Sequence, residues 1–373
     1  MSISKTIPIN KPFLDEEEIR AAVRVLRSGI LTSKSGSGPN VLSFEEAFSR
    51  YVGSKYAVAL NSGTAALHSS LVAADISKDD EVIVPSFTFV ATAEMVALTG
   101  ARPVFVDIDP KTYCVDPAEV EAAISSKTKA IIPVHLYGLT ADMDPILEVA
   151  RDYGLTVIED AAQAHGAEYK GEKAGSLGDM ACFSFYGSKN MVTGEGGMVS
   201  TKIKEYADKI RLIRSHGEVS EYQSTMIGHN YRMPELEAAI GLVQLRKLPK
   251  ILEIRNRNAE AISEGLSDIE ELQLPFVPEG FRHAWYVFTV RLKNANAAER
   301  SKVIERIRED QVGTEVYYSK PIHLLPHYRK CFGSFKLPET EAAAGQVFSL
   351  PTHPSLSEKD LTRIMKAVRA SLY

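Results

Sequence analysis

An α/β fold built on a mostly parallel sheet, with helices on both faces, is what this sequence predicts, on three observations. First, seven short apolar, β-branched runs recur at Tyr56–Leu60, Glu81–Pro85, Pro103–Val106, Ala130–Val134, Thr156–Glu159, Met180–Phe185 and Gly197–Ser200. Second, helical stretches separate several of them, at Ala65–Ala74, Thr92–Thr99, Pro117–Ile124 and Met143–Tyr153. Strand–helix alternation of this kind builds parallel sheets, because parallel neighbours need a crossover. Third, the 373 residues exceed what a single hydrophobic core usually supports, so two domains are expected.

The remaining elements follow in chain order. Asp15–Ser28 has the spacing of an amphipathic helix, with Ile19, Ala22, Val23 and Leu26 on one face. Thr32–Pro39, rich in Ser and Gly, reads as a loop, and Val41–Tyr51 returns to helical spacing. A long helical region, Pro234–Leu266, follows the seven runs. Beyond it, His283–Leu292, Val303–Asp310 and Glu358–Leu372 suggest a smaller α+β domain. The expected division is a large domain over residues 1–250, including an N-terminal arm, and a small one over 251–373, with the boundary inside 240–265.

Composition narrows the function. The net charge of -5 is spread along the chain, and no basic block marks a nucleic-acid or membrane surface. Cys114, Cys182 and Cys331 are scattered and odd in number, which fits neither a disulfide framework nor a metal cluster and points to a reducing cytoplasm. The opening MSISKTIPIN lacks the apolar core of a signal peptide, and no apolar run has membrane-spanning length. His135, His323, His327 and His353 lack the tight spacing of metal ligands, so no metal is expected. A small-molecule partner remains.

In a parallel sheet, ligands collect at the carboxyl ends of the strands, so the residues just after each run matter most. The first run ends in Asn61-Ser62-Gly63-Thr64, a small hydroxyl-bearing turn opening a helix. Such a turn suits a phosphate, although by itself a simple helix cap explains it better. After the fifth run come Glu159-Asp160-Ala161-Ala162-Gln163. A carboxylate at a buried strand end needs a partner, whether the next helix or a protonated pyridine nitrogen. Beyond the sixth run, Lys189 stands in Tyr186-Gly187-Ser188-Lys189-Asn190, bracketed by glycines rather than by charges. Most lysines are solvated, but one held in an apolar pocket is a candidate amine for Schiff-base formation. Ser184 is placed to join a phosphate cup, and Phe87 and Phe89 to cover a flat ring. Each piece is weak. Together, in this order, they describe pyridoxal 5'-phosphate (PLP), which needs a phosphate cup, a carboxylate for its ring nitrogen and a lysine.

At this point the chain resembles the DegT/StrS-type sugar aminotransferases, PLP enzymes of the aspartate-aminotransferase fold. The resemblance covers essentially the whole chain. It includes PVFVDID at 103–109, PVHLYG at 133–138, EDAAQAHG at 159–166, FSFYGSKNMVTGEGG at 183–197, RSHG at 214–217, GHNYRM at 228–233, PIHLLPHY at 321–328 and LPTHPS at 350–355. It implies that Lys189 holds PLP covalently and shuttles a proton, that Asp160 pairs with the ring nitrogen, and that Gln163 contacts the ring oxygen. It further implies that Phe89 stacks on the ring and that Gly63, Thr64 and Ser184 hold the phosphate. Asn230 matches an asparagine that in the family reaches the phosphate of the neighbouring subunit, so a homodimer with shared active sites is implied. The reaction implied is amino transfer from L-glutamate to the keto group of a nucleotide diphosphate keto-sugar, in the cytoplasm. Tyr318 and His323, in a family segment near the active site, are candidates for nucleotide-sugar contacts.

Two alternatives are set beside this. Dehydratase relatives carry histidine where this chain has Lys189, which favours amino transfer; His165 and His216 lie in motifs the aminotransferases share. A non-catalytic PLP-binding regulator would tolerate loss of the lysine or the aspartate, and both are kept. No helix-turn-helix or basic patch supports DNA binding.

Overall fold

A computed structural model of the protein describes residues 6–372. Two helices, α1 (Glu16–Ser28) and α2 (Pro39–Val52), precede the first strand, β1 (Tyr56–Leu60). The alternation then runs α3 (Gly63–Ala73), β2 (Glu81–Pro85), α4 (Ala91–Leu98), β3 (Arg102–Val106), α5 (Pro117–Ala122), β4 (Thr128–Ile131), α6 (Met143–Tyr153), β5 (Thr156–Asp160), β6 (Met180–Ser184), β7 (Gly197–Thr201) and α7 (Lys204–Arg214). The seven strands form one sheet in the order β1-β7-β6-β5-β4-β2-β3. Pairing is parallel from β3 through β6, and β7 alone is reversed, antiparallel to both β6 and β1. No crossover helix is needed to enter a reversed strand, so the connection over residues 185–196 returns directly at the carboxyl end of β6. That connection carries Lys189.

Alternate residues of the strands feed two cores. Val58, Leu60, Val82, Val84, Met180 and Cys182 pack with α3, α4 and α7 on one face. On the other, Ala57, Ala59, Ala181 and Phe183 meet Phe44 and Phe48 of α2, while Ile83, Ile131 and Val157 meet α5 and α6. Burying both faces is why the sequence shows these strands as short apolar runs.

The expected long helix is continuous as α8 (Glu235–Leu266) and joins two cores. Ala238, Leu245, Leu248 and Leu252 belong with α2 and the sheet. Ala259, Ile262 and Leu266 belong with the antiparallel strands β8 (Leu272–Gln273), β9 (Phe288–Leu292) and β10 (Val347–Leu350). That second core is completed by α9 (Ala297–Glu309), by α12 (Glu358–Leu372) and by Ile7, which bridges to Val312. Two short helices, α10 (Pro326–Phe332) and α11 (Pro338–Gln346), lie between α9 and β10.

One expectation is corrected. Helix α1 buries Glu18, Ala21 and Val25, whereas Ile19 and Leu26 are 55% and 59% exposed. The small side chains Ala21 and Val25 let α1 approach Ala239 and Val243 of α8 closely. Glu18 is carried inward because Lys247 and Gln244 donate to its carboxylate at 2.8 and 2.7 Å. A buried acid with two donors on α8 outweighs the apolar stripe that spacing alone would select.

Two further buried charges tie α2 to α7, α8 and β1. The Glu235 carboxylate accepts from the Asn40 N–H at 2.7 Å and from Asn40 Nδ2 at 2.8 Å, at the start of α2. It supplies the N-terminal cap that Gly38 lacks, at the positive end of the helix dipole. A Cβ on Gly38 would lie 2.0 Å from this carboxylate, so a side chain there would displace the cap. Arg214, the last residue of α7, is fully buried and donates to Glu45 Oε1 at 2.6 Å and to the Ala59 carbonyl at 3.0 Å. It also donates to the Ser35 carbonyl at 3.4 Å, so the loop between α1 and α2 is tied to β1 through this one guanidinium.

Candidate active site

The strand ends converge on a cavity of about 410 Å³. One corner is the β1–α3 turn, where the Ser62 hydroxyl accepts from the Ala65 N–H at 3.0 Å and so caps α3. The first-turn N–H groups that follow have no intrahelical acceptor and form an anion-ready end. This turn lies hard against the ends of β6 and β7. A Cβ on Gly63 would sit 2.8 Å from Ser184 Cβ, and one on Gly197 would sit 2.1 Å from the Ser62 carbonyl oxygen. Glycine at both places is what lets Thr64 and Ser184 share one corner.

Asp160, the last residue of β5, forms part of the cavity lining and is 6% exposed. Its Oδ2 accepts from Thr92 Oγ1 at 2.8 Å and its Oδ1 from the Ala162 N–H at 3.2 Å. Burial holds its carboxyl above the usual carboxylate range, opposed by these two hydrogen bonds and by the charge of Lys189. A cation brought against Asp160 would favour its anionic form and oppose that shift.

Gln163 is fixed at both ends. Its Oε1 accepts from the Tyr137 N–H at 2.7 Å, which turns the amide nitrogen toward Tyr318 Oη at 2.6 Å. Both tyrosines have left-handed backbones, φ 57° at Tyr137 and 62° at Tyr318. Non-glycine residues adopt that conformation only where the surroundings enforce it.

Lys189 sits on the β6–β7 connection, with its N–H donating to the Tyr186 carbonyl at 2.9 Å. Its Nζ lies 4.8 Å from the centroid of the Tyr286 ring. Tyr286 Oη and Ser188 Oγ are 3.0 Å apart. The Asn10 side-chain amide donates to the Ser188 carbonyl, and Arg255 Nη2 donates to Asn10 Oδ1 at 3.3 Å. Arg255 is itself fully buried and also binds the Trp285 and Tyr286 carbonyls, at 3.0 and 3.1 Å. The N-terminal arm, α8 and the Trp285–Tyr286 segment thus meet at the residue preceding Lys189.

Of the residues singled out from sequence, Gly63, Thr64, Phe89, Asp160, Gln163, Ser184, Lys189 and Tyr318 all line this one cavity. Phe89 is 59% exposed, a large apolar face left open at the cavity. Asn230 and His323 lie outside the lining. Asn230 is exposed, and its carbonyl accepts from Asn61 Nδ2 at 3.3 Å. His323 is buried: Nδ1 accepts from the Ser86 hydroxyl at 2.7 Å and Nε2 donates to Glu341 at 3.4 Å. Ser86 is fully buried too, so this Ser–His–Glu chain fastens the 321–328 segment to β2 and gives no sign of a nucleophile. Sequence reasoning missed Tyr286, Tyr317 and Glu195, which also line the cavity. The tyrosines come from segments far along the chain, and Glu195 stood inside a recognised motif without a role.

Among the described residues, no cluster of His, Cys, Asp and Glu suits a metal ion, and no helix is long and apolar enough to cross a membrane. The lining fits PLP on its own geometry: a helix end for the phosphate, a buried carboxylate for the ring nitrogen, and an amine in the same cavity.

Comparison with known proteins agrees with this fit. The model of the DegT/DnrJ/EryC1/StrS aminotransferase family matches residues 12–369. GDP-perosamine synthase of Caulobacter vibrioides is 42% identical, over 99% of both chains. DesV of S. venezuelae, solved with a ketimine intermediate, superposes with a TM-score of 0.90 at 37% identity over 98% of both chains. Spr1654 of Streptococcus pneumoniae, solved in a PLP form, gives a TM-score of 0.92 at 29% identity over 98% of both chains.

Proposed function

Since the chain belongs to the DegT/DnrJ/EryC1/StrS aminotransferase family, we propose that it moves an amino group from L-glutamate to the keto group of a nucleoside diphosphate keto-sugar. It is a PLP-dependent aminotransferase. The observation that carries the reading is the meeting of Lys189, Asp160 and the α3 N-terminus in one cavity. PLP, when bound, supplies the electron sink and the amino carrier.

The chain's own residues do the rest. Gly63, Thr64 and Ser184 hold the phosphate, with helix α3 offering N–H groups and the positive end of its dipole. Asp160 holds the proton of the ring nitrogen, and Thr92 with the Ala162 N–H keeps its carboxylate aimed. Gln163 donates toward the ring oxygen, its orientation fixed by the Tyr137 N–H. Phe89 covers one face of the ring. Lys189 Nζ takes the proton from the donor's carbon and returns one to the acceptor's, so one amine serves as both base and acid. Tyr318, hydrogen-bonded to Gln163, faces the substrate side of the cavity.

The working form is a cytoplasmic homodimer in which Asn230 of each subunit reaches its neighbour's phosphate. What supports this is that Asn230 is exposed and absent from its own chain's cavity. Two domains, divided within α8, frame each site; the change of core between Leu252 and Ala259 supports that division.

The purified protein is expected to show a visible PLP band that L-glutamate converts to the pyridoxamine form. One member of a panel of UDP-, GDP- and dTDP-linked 3- and 4-keto-hexoses then restores the band. A band indifferent to glutamate and to every keto-sugar would overturn the reading in favour of a dehydratase or a sensor. For Asp160→Asn, the expected outcome is a kcat lower by about 100-fold with a raised Kd for PLP, since a preorganised charge partner is worth roughly 2–4 kcal/mol. Equilibrium dialysis and steady-state rates check the two effects.

A further inference from the structure

We infer that Glu195 reads the hydroxyl groups of the acceptor sugar and sets specificity for the sugar half-reaction; this rests on the function proposed above. Among the described residues, three charged side chains line the cavity: Asp160, Lys189 and Glu195. Both oxygens of Asp160 are engaged within the chain, by Thr92 and by the Ala162 N–H. Lys189 provides the amine. Among the described residues Glu195 finds no side-chain hydrogen bond or ion pair, and it is exposed at the cavity.

The backbone around it is built with care. Gly194 and Gly196 take φ 98° and 155°, the Thr193 hydroxyl donates to the Glu195 carbonyl, and Phe185 N–H donates to the Gly196 carbonyl at 2.8 Å. Tyr186 and Gly194 form a β-bridge, so Glu195 is carried on the strand of chain running beside the Lys189 segment. The turn needs its glycines; nothing in its geometry needs a carboxylate.

The chemistry then selects the ligand group. A carboxylate is repelled by a phosphate and accepts hydrogen bonds, so it does not serve the cofactor's phosphate or the diphosphate of the substrate. L-Glutamate brings two carboxylates and one ammonium, and the ammonium must meet the lysine-bound carbon. A hexose brings several hydroxyl donors, which a carboxylate accepts in short, charge-assisted hydrogen bonds. Sites that hydrogen-bond a hydroxyl discriminate strongly against analogues lacking it.

The test compares the two half-reactions of the holoenzyme in wild-type and Glu195→Gln protein. The first is followed as loss of the PLP band with L-glutamate. The second is its return from the pyridoxamine form with the keto-sugar nucleotide found in the panel above. The Kd of that sugar nucleotide is expected to rise roughly ten- to hundredfold more than that of L-glutamate. The Kd of the bare nucleoside diphosphate, measured by calorimetry, is expected to stay level or fall, and Glu195→Asp to recover part of the sugar affinity. Equal effects on both substrates, or none, would overturn the inference while leaving the proposed function intact. Dissociation of Glu195→Gln into monomers, seen by light scattering, would overturn it in favour of a bond across the subunit interface. Failure of wild-type protein with every keto-sugar would remove both.

Discussion

Lys189→Ala is expected to abolish turnover, lowering kcat by about 10,000-fold, because one substitution removes both the covalent attachment and the proton carrier. Stability should change little. Among the described residues the Lys189 Nζ makes no hydrogen bond, and it lies 4.8 Å from the centre of the Tyr286 ring. The backbone bond to Tyr186 survives the truncation. Absorption spectroscopy separates attachment from binding: the variant should still take up PLP at Asp160 and the α3 terminus, yet show the spectrum of unlinked cofactor. Lys189→Arg should fail nearly as badly, since guanidinium keeps the charge but neither forms the link nor gives up its proton. A variant retaining a tenth of wild-type kcat would remove Lys189 from the chemistry.

Arg214→Ala is expected to be the most damaging substitution for stability, at about 3–5 kcal/mol, because it leaves the Glu45 carboxylate buried without its partner. Glu45 is 6% exposed, and its remaining donor is the Ala59 N–H at 2.9 Å. Urea midpoints at fixed protein concentration measure the effect. The double variant Arg214→Met with Glu45→Met should recover much of the loss, because it removes both buried charges while filling the space. A single variant within 1 kcal/mol of wild type would show that water reaches this pair.

What the sequence disclosed follows from how each feature is encoded. The seven sheet strands were legible because they are buried on both faces and stay apolar through their length. The reversal of β7 was not, since direction depends on the absence of a crossover helix. Helix α7 was passed over because Ala207, Ile210 and Ile213 are its buried apolar positions among Lys, Glu, Asp and Arg. The site's floor was readable because Asp160 and Lys189 stand where apolar runs stop. Its walls were legible only at Tyr318: Tyr286 and Tyr317 reach the cavity through tertiary packing. Helix α1 shows the converse failure, in which a good apolar stripe lost to a buried glutamate with two donors.

The placement of Ile7 also has a consequence for how the protein is made. Ile7 is 4% exposed in a core whose other members include Val312, Phe348 and Ile364. The neighbouring pair Thr6 and Gln311 is bonded across 305 residues of chain. At roughly 5–20 residues per second, a ribosome needs about 15–60 s to deliver residue 311 after residue 6. Through that interval the arm has no seat, even when the seven strands are already out and free to pair. Asn10, which holds the Ser188 carbonyl beside Lys189, waits with it. A nascent chain stalled before residue 311 would therefore carry a formed sheet and an unsecured lysine loop, a state in which catalytic competence lags behind folding.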